Sequence, residues 1–251
     1  SGHSGRAGYD ALAFRDVGLT GERDAPSSIL GDLYGEAFAP DIAAADLNDV
    51  WWMRKSYFKR FASGRYVHGV LDALEILLSR LGGTLNAKEV RRIDVATFFM
   101  AATMGQQRVD TPFGMRFSIP ALLATRILRG PTPLVDDGAQ AFSDTRVHQL
   151  AEKVFVSEDK AATATYPDNQ PTCITVTFTD GHREVVSVDK MLGESDYPLS
   201  AAQLSEKFIE LAAPTLGSKG AQSCYVQLSD VDTCDNVANL LENITAMVPA
   251  A

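Results

Sequence analysis

Between Asp49 and Asp72 stand five cations, Arg54, Lys55, Lys59, Arg60 and Arg65, together with His68, and no acid. The whole chain carries a formal charge of −9, so those five positive charges leave −14 for the remainder. Fixed cations stabilise the second negative charge that develops on a carboxylate when a proton leaves the neighbouring carbon, and a guanidinium can match a carboxylate with two parallel bonds. Imidazole is the usual group to take such a proton near neutral pH. A pocket for a multiply charged carboxylate is one reading of these residues. Two other readings fit the same residues: a solvated basic face, or a contact with nucleic acid.

The rest of the composition narrows the choice. With 251 residues the chain can form one large domain or two modest ones, and 45% hydrophobic with 22% charged residues are ordinary globular values. An excess of 32 acids over 23 bases argues against a surface built to grip nucleic acid or an anionic membrane, while leaving room for a local basic pocket. No apolar run is long enough to span a bilayer and no signal-peptide pattern opens the chain, so a cytoplasmic setting is expected. Cys173, Cys224 and Cys234 lack ligand spacing, and a bridge between Cys224 and Cys234 is disfavoured in such a setting. His3, His68, His148 and His182 include no i, i+4 pair, so no metal is expected. The glycines form no phosphate-binding pattern, which leaves nucleotide binding without support.

The elements that must position the basic stretch can be read from periodicity. Apolar residues at 11, 12, 14 and 17 predict an opening helix, and 26–34 a second short one. The aromatic-rich run 50–61 has neither a helical stripe nor a turn signal and is expected to be extended. Val67, Leu71, Leu74, Leu77 and Leu78 predict an amphipathic helix over 66–81, ended by Gly82-Gly83. Strands are expected at 93–99 and 154–157, helices at 117–128 and 142–152, and a hairpin where 173–179 and 183–188 flank an Asp180-Gly181 turn. Ser118 is positioned to cap the helix that Pro120 begins. Helices over 199–213 and 236–247 close the chain. The fold class is α+β: a mixed centre flanked by helical segments.

Several of these stretches resemble the MmgE/PrpD family. Residues 59–73 (KRFASGRYVHGVLDA) are similar to its motif of a Lys, an aromatic, a small residue and then a His with an Asp four residues on, here Lys59, Phe61, His68 and Asp72. Residues 115–130 (MRFSIPALLATRILRG) resemble its segment leading into an Ala-rich helix. The opening, from HSGRAGYDALAF through GLTGERD to ILGDLYGEAF, resembles its H-x-G-R-A helix, its G-[FL]-T-G turn and its I-L-x-G…Y-G segment. Residues 198–208 (PLSAAQLSEKF) resemble the segment that returns to the helical domain. The resemblance implies lyases, decarboxylases or epimerases of small polycarboxylates without metal or organic cofactor. It also implies an all-helical domain carrying an inserted, smaller α+β lid, and usually a homodimer. Mapped here, 1–58 is part of the helical domain, 59–192 the lid and 193–251 the returning helical segment.

The resemblance implies a chain about twice as long, with an earlier half carrying further catalytic residues and a second Lys just ahead of Ser1. A companion chain or segment is therefore the expected partner, in a homodimer or heteromer. Lys59, His68 and His3 are the catalytic candidates, and Arg65, Arg6 and Ser118 the substrate-binding ones. Gly64 stands where the family often has Cys or His, which weakens a decarboxylase assignment. The expected activity is (de)hydration of a di- or tricarboxylate; the rival is a non-catalytic lid fragment or regulatory subunit.

Overall fold

The computed structural model describes residues 2–47, 49–131 and 138–248. Contacts divide the chain into two compact units, Ser1–Arg54 and Lys55–Ala251. The first contains α1 (Gly2–Asp16), a π-helical turn at Ser27–Leu33 and α2 (Pro40–Ala44). No residue of α1 is buried, and Leu12, Phe14 and Val17 are all exposed.

In the second unit the helix expected from leucine spacing forms as α3 (His68–Arg80), burying Val70, Leu71, Leu74, Leu77 and Leu78. Next come β1 (Val90–Thr97), α4 (Phe99–Ala102), α5 (Ile119–Arg129), α6 (Ala139–Phe142), α7 (Thr145–Ala151), β2 (Val154–Glu158) and α8 (Lys160–Ala164). The remainder is β3 (Thr172–Phe178), β4 (Arg183–Val188), α9 (Ala201–Ser229) and α10 (Val237–Ala246). Among the described residues the sheet runs β2-β1-β3-β4, with β1 and β2 parallel and the other pairs antiparallel. A mixed helix and sheet chain of this kind is α+β. A register shift between Val90 and Arg92 lets Val90 and Ile93, three apart, both face inward.

Helix α3 packs on β3 and β4, and α5 on α7 and β2. Leu74, Leu77, Ile93, Leu123, Ile174 and Val186 meet in one core. Each such side chain contributes about 1.5–3 kcal/mol through burial. The Asp-Gly hairpin closes as expected, with Phe178 N–H donating to the His182 carbonyl at 2.9 Å. No helix among the described residues is long and apolar enough to cross a membrane. All three cysteines carry free thiols, so Cys224 and Cys234 are not bridged.

Three local expectations are corrected. The run 50–61 is not a strand: it makes a 3-10 turn at Trp52–Lys55 and then irregular chain. A β-prone sequence becomes a strand only where another strand pairs with it, and here the link is one bond, Phe58 N–H to the Gly193 carbonyl at 2.9 Å. The helix expected at 142–152 forms as α7 but starts later, at Thr145, because Asp144 accepts from Arg146 N–H at 3.0 Å and caps it, and Phe142 instead ends the separate short helix α6. The helix expected to end at Ala213 runs on to Ser229, broken at Gly217, whose φ of 68° and ψ of 161° suit glycine alone.

Candidate active site

The basic stretch enters the second unit as a loop pinned at both ends. Phe58 is held by Gly193, and Gly64 N–H donates to the Arg116 carbonyl at 2.9 Å. Between them Lys59 is exposed, with its ammonium 3.4 Å from the Ser63 carbonyl. Gly64 sits against Phe117 and Met104: a Cβ there would lie 3.1 Å from the Phe117 ring, so a larger side chain would have to push that ring aside. A 3-10 turn, Arg65–Val67, then feeds α3, whose first residue is His68.

His68 is wholly buried, edge-on to Phe61 with ring centroids 5.4 Å apart, and neither ring nitrogen has a hydrogen-bond partner among the described residues. Burial, then the charges of Arg65 and Lys59, and more weakly that of Lys207, bring its pKa down to about 3. The Ser63 backbone pulls the other way, although it does not meet hydrogen-bond geometry with either nitrogen. The imidazole is therefore neutral at pH 7, and both nitrogens are uncommitted.

Arg65 is 8% exposed. Its guanidinium lies over the Tyr57 ring at 4.4 Å, and Nη2 is paired with Glu194. Nε and Nη1 are buried and have no hydrogen-bond partner among the described residues. A buried donor left unmade is costly, which makes these two nitrogens candidates to meet a ligand acceptor. One turn beyond His68, Asp72 accepts from Arg60 Nη1 at 3.1 Å and from Leu192 N–H at 3.0 Å. Burial raises its pKa, and those two contacts oppose the rise. Asp72 thus joins α3, the motif loop and the turn after β4.

Sequence reasoning missed two charged residues. Lys207 on α9 has its pKa lowered by burial and by Lys59, while Glu210 raises it. It lines a cavity of about 380 Å³ together with Arg60, Phe61, Ser63, Leu71 and Arg126. The charges of Arg60 and Arg126 are committed to Asp72 and Glu75, the latter by bonds of 2.5 and 2.8 Å. Glu194, the partner of Arg65, is the second. Lys207 lay in a stretch already singled out for its resemblance, and that was the available signal; Glu194 had none.

The structure thus gathers Lys59, Arg65 and His68 around one loop and helix start. Ser118 is buried at the start of α5, its hydroxyl donating to the Gln106 carbonyl at 2.6 Å and accepting from Ala121 N–H at 3.1 Å. Those bonds are a helix cap, and the hydroxyl proton is committed. His3 and Arg6 belong to the first unit, exposed on α1, where Arg6 faces Asp10 at 3.6 Å. His148 is half-buried and its ring bonds the Phe142 carbonyl at 2.7 Å; His182 is exposed beside Glu184. No cluster of three or more His, Cys, Asp or Glu able to hold a metal occurs among the described residues.

Set against known proteins, residues 61–230 match the profile of the MmgE/PrpD C-terminal domain. The matched range holds Arg65, His68, Asp72, Ser118, Glu194 and Lys207 and starts two residues after Lys59. No curated protein matches the chain at a significant level.

Proposed function

The chain belongs to the MmgE/PrpD family, and from that premise we propose that it forms part of a cofactor-independent lyase or isomerase of small di- or tricarboxylates. The reaction begins with removal of a proton next to a carboxylate, and (de)hydration is the leading outcome. The observation that carries the reading is a buried, neutral, unpartnered imidazole beside a buried arginine with two unpartnered donors. Arg65 and Lys59 hold the substrate carboxylate, and His68 takes the proton. In the unliganded site burial first, and then the surrounding cations, make His68 a weak base. A bound polyanion offsets the share that comes from the cations, so the base is stronger when there is substrate to act on. As the proton leaves, charge builds on the carboxylate that Arg65 and Lys59 already face, where fixed donors need little reorganisation.

Incubation in D₂O with a panel of di- and tricarboxylates, with any companion chain present, tests the proton abstraction shared by dehydration and epimerisation. Deuterium is expected at the carbon next to a carboxylate in one member, read by NMR. No exchange in any member sinks the enzymatic reading. The second reading, a non-catalytic lid or regulatory subunit, would then stand, and the close packing of Gly64 where the family often has a Cys or His favours it.

The fold of this enzyme is a helical domain with an inserted lid, completed by a companion chain or segment. Support comes from apolar faces left open: α1 buries nothing and α10 buries Leu240 alone. Large exposed apolar patches mark interaction surfaces in soluble proteins. Light scattering of the purified chain is expected to show association. A cooperative monomer of 27.1 kDa would overturn the companion. Three free thiols suit a reducing, cytoplasmic setting.

A further inference from the structure

The geometry points to Glu194 as the residue that positions Arg65, holding its guanidinium by Nη2 so that Nε and Nη1, on different edges, are each left for a ligand oxygen. This rests on the reading of Arg65 as a substrate-binding group and assigns the residue that makes its orientation unique. An arginine side chain has many rotamers, and a site that must recruit one from solvent loses affinity to its ordering. Arg65 is already ordered: Tyr57 covers one face, Glu194 holds Nη2, and the chain around it excludes water. What remains are the two buried nitrogens without partners.

Glu194 is itself held. Three successive residues of the turn after β4 reach the motif: Leu192 N–H bonds Asp72 at 3.0 Å, the Gly193 carbonyl accepts from Phe58 N–H at 2.9 Å, and Glu194 pairs with Arg65. Gly193 has φ +101°, and a Cβ there would lie 2.2 Å from the Phe58 carbonyl oxygen, so only glycine allows this approach. The next turn is closed by Gly193 N–H to the Tyr197 carbonyl at 2.9 Å and Tyr197 N–H to the Glu194 carbonyl at 3.1 Å. A carboxylate fixed in this way sets the direction of the cation it holds.

The test exploits a conflict of sign. Deleting a negative charge beside an anion site should tighten anion binding if only charge matters, whereas deleting a positioning contact should weaken it. The probe is tricarballylate, an unreactive tricarboxylate, titrated calorimetrically into the purified full chain, with thermal melts to check folding. Glu194→Ala is expected to weaken binding by about tenfold or more, the scale of one hydrogen bond to a charged group. Glu194→Gln keeps an oxygen acceptor and is expected to stay within about threefold of the wild type, or to bind more tightly. In an Arg65→Met background Glu194→Ala should add nothing, an outcome a general structural defect would not give.

Equal or tighter binding by Glu194→Ala overturns the positioning role while leaving the site intact. Wild-type affinity in Arg65→Met, or no binding by the wild-type chain, overturns the site and with it this inference. Should Glu194→Ala not fold, Glu194→Asp replaces it: the charge stays but the reach is one methylene shorter, so weakened binding supports the role and unchanged binding overturns it.

Discussion

Replacing Lys59 by Met should lower turnover by about 10²-fold or more, the scale seen when one donor to a developing anion is removed, while Lys55→Met leaves it nearly unchanged. The Met side chain preserves most of the stem, and Lys59 is exposed, so the substitution removes a charge without emptying a core. Its ammonium reaches the Ser63 carbonyl at 3.4 Å, a long contact whose loss has little effect on folding. The charge nonetheless acts on its surroundings, because it lowers the basicity of both His68 and Lys207. A conjugated C=C–COO⁻ product can be followed by its ultraviolet absorbance, with any companion chain present. If the two variants behave alike, both active or both unfolded, the basic stretch is a solvated face or a structural loop.

His68→Gln carries two expectations, one on rate and one on stability. Turnover should fall by about 10²–10⁴, the usual contribution of a positioned general base. For stability, the folded pKa of about 3 lies below the unfolded value of 6.5. Between those values the unfolded chain binds a proton at this residue and the folded chain does not, so the contribution is whole above pH 6.5 and is lost as pH falls. The slope is about 1.4 kcal/mol per pH unit, summing to about 5 kcal/mol by pH 3. Asp72 acts in the opposite sense, since its raised folded pKa makes the folded state take a proton first and gain stability as pH falls through the acid range. Comparing wild type with His68→Gln by urea unfolding at several pH values isolates the histidine. The variant should lose stability less steeply between pH 6.5 and pH 3, and an unchanged slope would mean that His68 is not buried neutral.

What could be read in the sequence was what is local along the chain. Leucines three and four residues apart share one face of any helix, and so α3 was legible with its end at Gly82-Gly83. Asp180-Gly181 turns the chain by its own backbone preference and needs no distant partner. The candidate site was legible for the same reason, because Lys59, Arg65 and His68 lie within ten residues that form one loop and one helix start. The family resemblance rested on those same short stretches, and the match over 61–230 bears it out.

Local chemistry could not reach further. Residues 50–61 have the side chains of a strand, but pairing is a property of two segments, and among the described residues no strand pairs with them. The order β2-β1-β3-β4 depends on which helices cover which face, a matter of packing between distant segments. Helix α8 is only five residues long, too short for a period to show. Within the site, the depressed basicity of His68 comes first from burial, which no residue reveals about itself. Glu194 is 129 positions from Arg65, and Lys207 comes from a helix whose register against the motif only the folded core fixes. The sequence thus determined which candidate groups, Lys59, Arg65 and His68, stand together, because their spacing is short enough for local structure to set. Tertiary structure alone decided how dry the site is, which way Arg65 faces and which distant charges surround it, because burial and ion pairing arise only when segments far apart in the chain exclude water together.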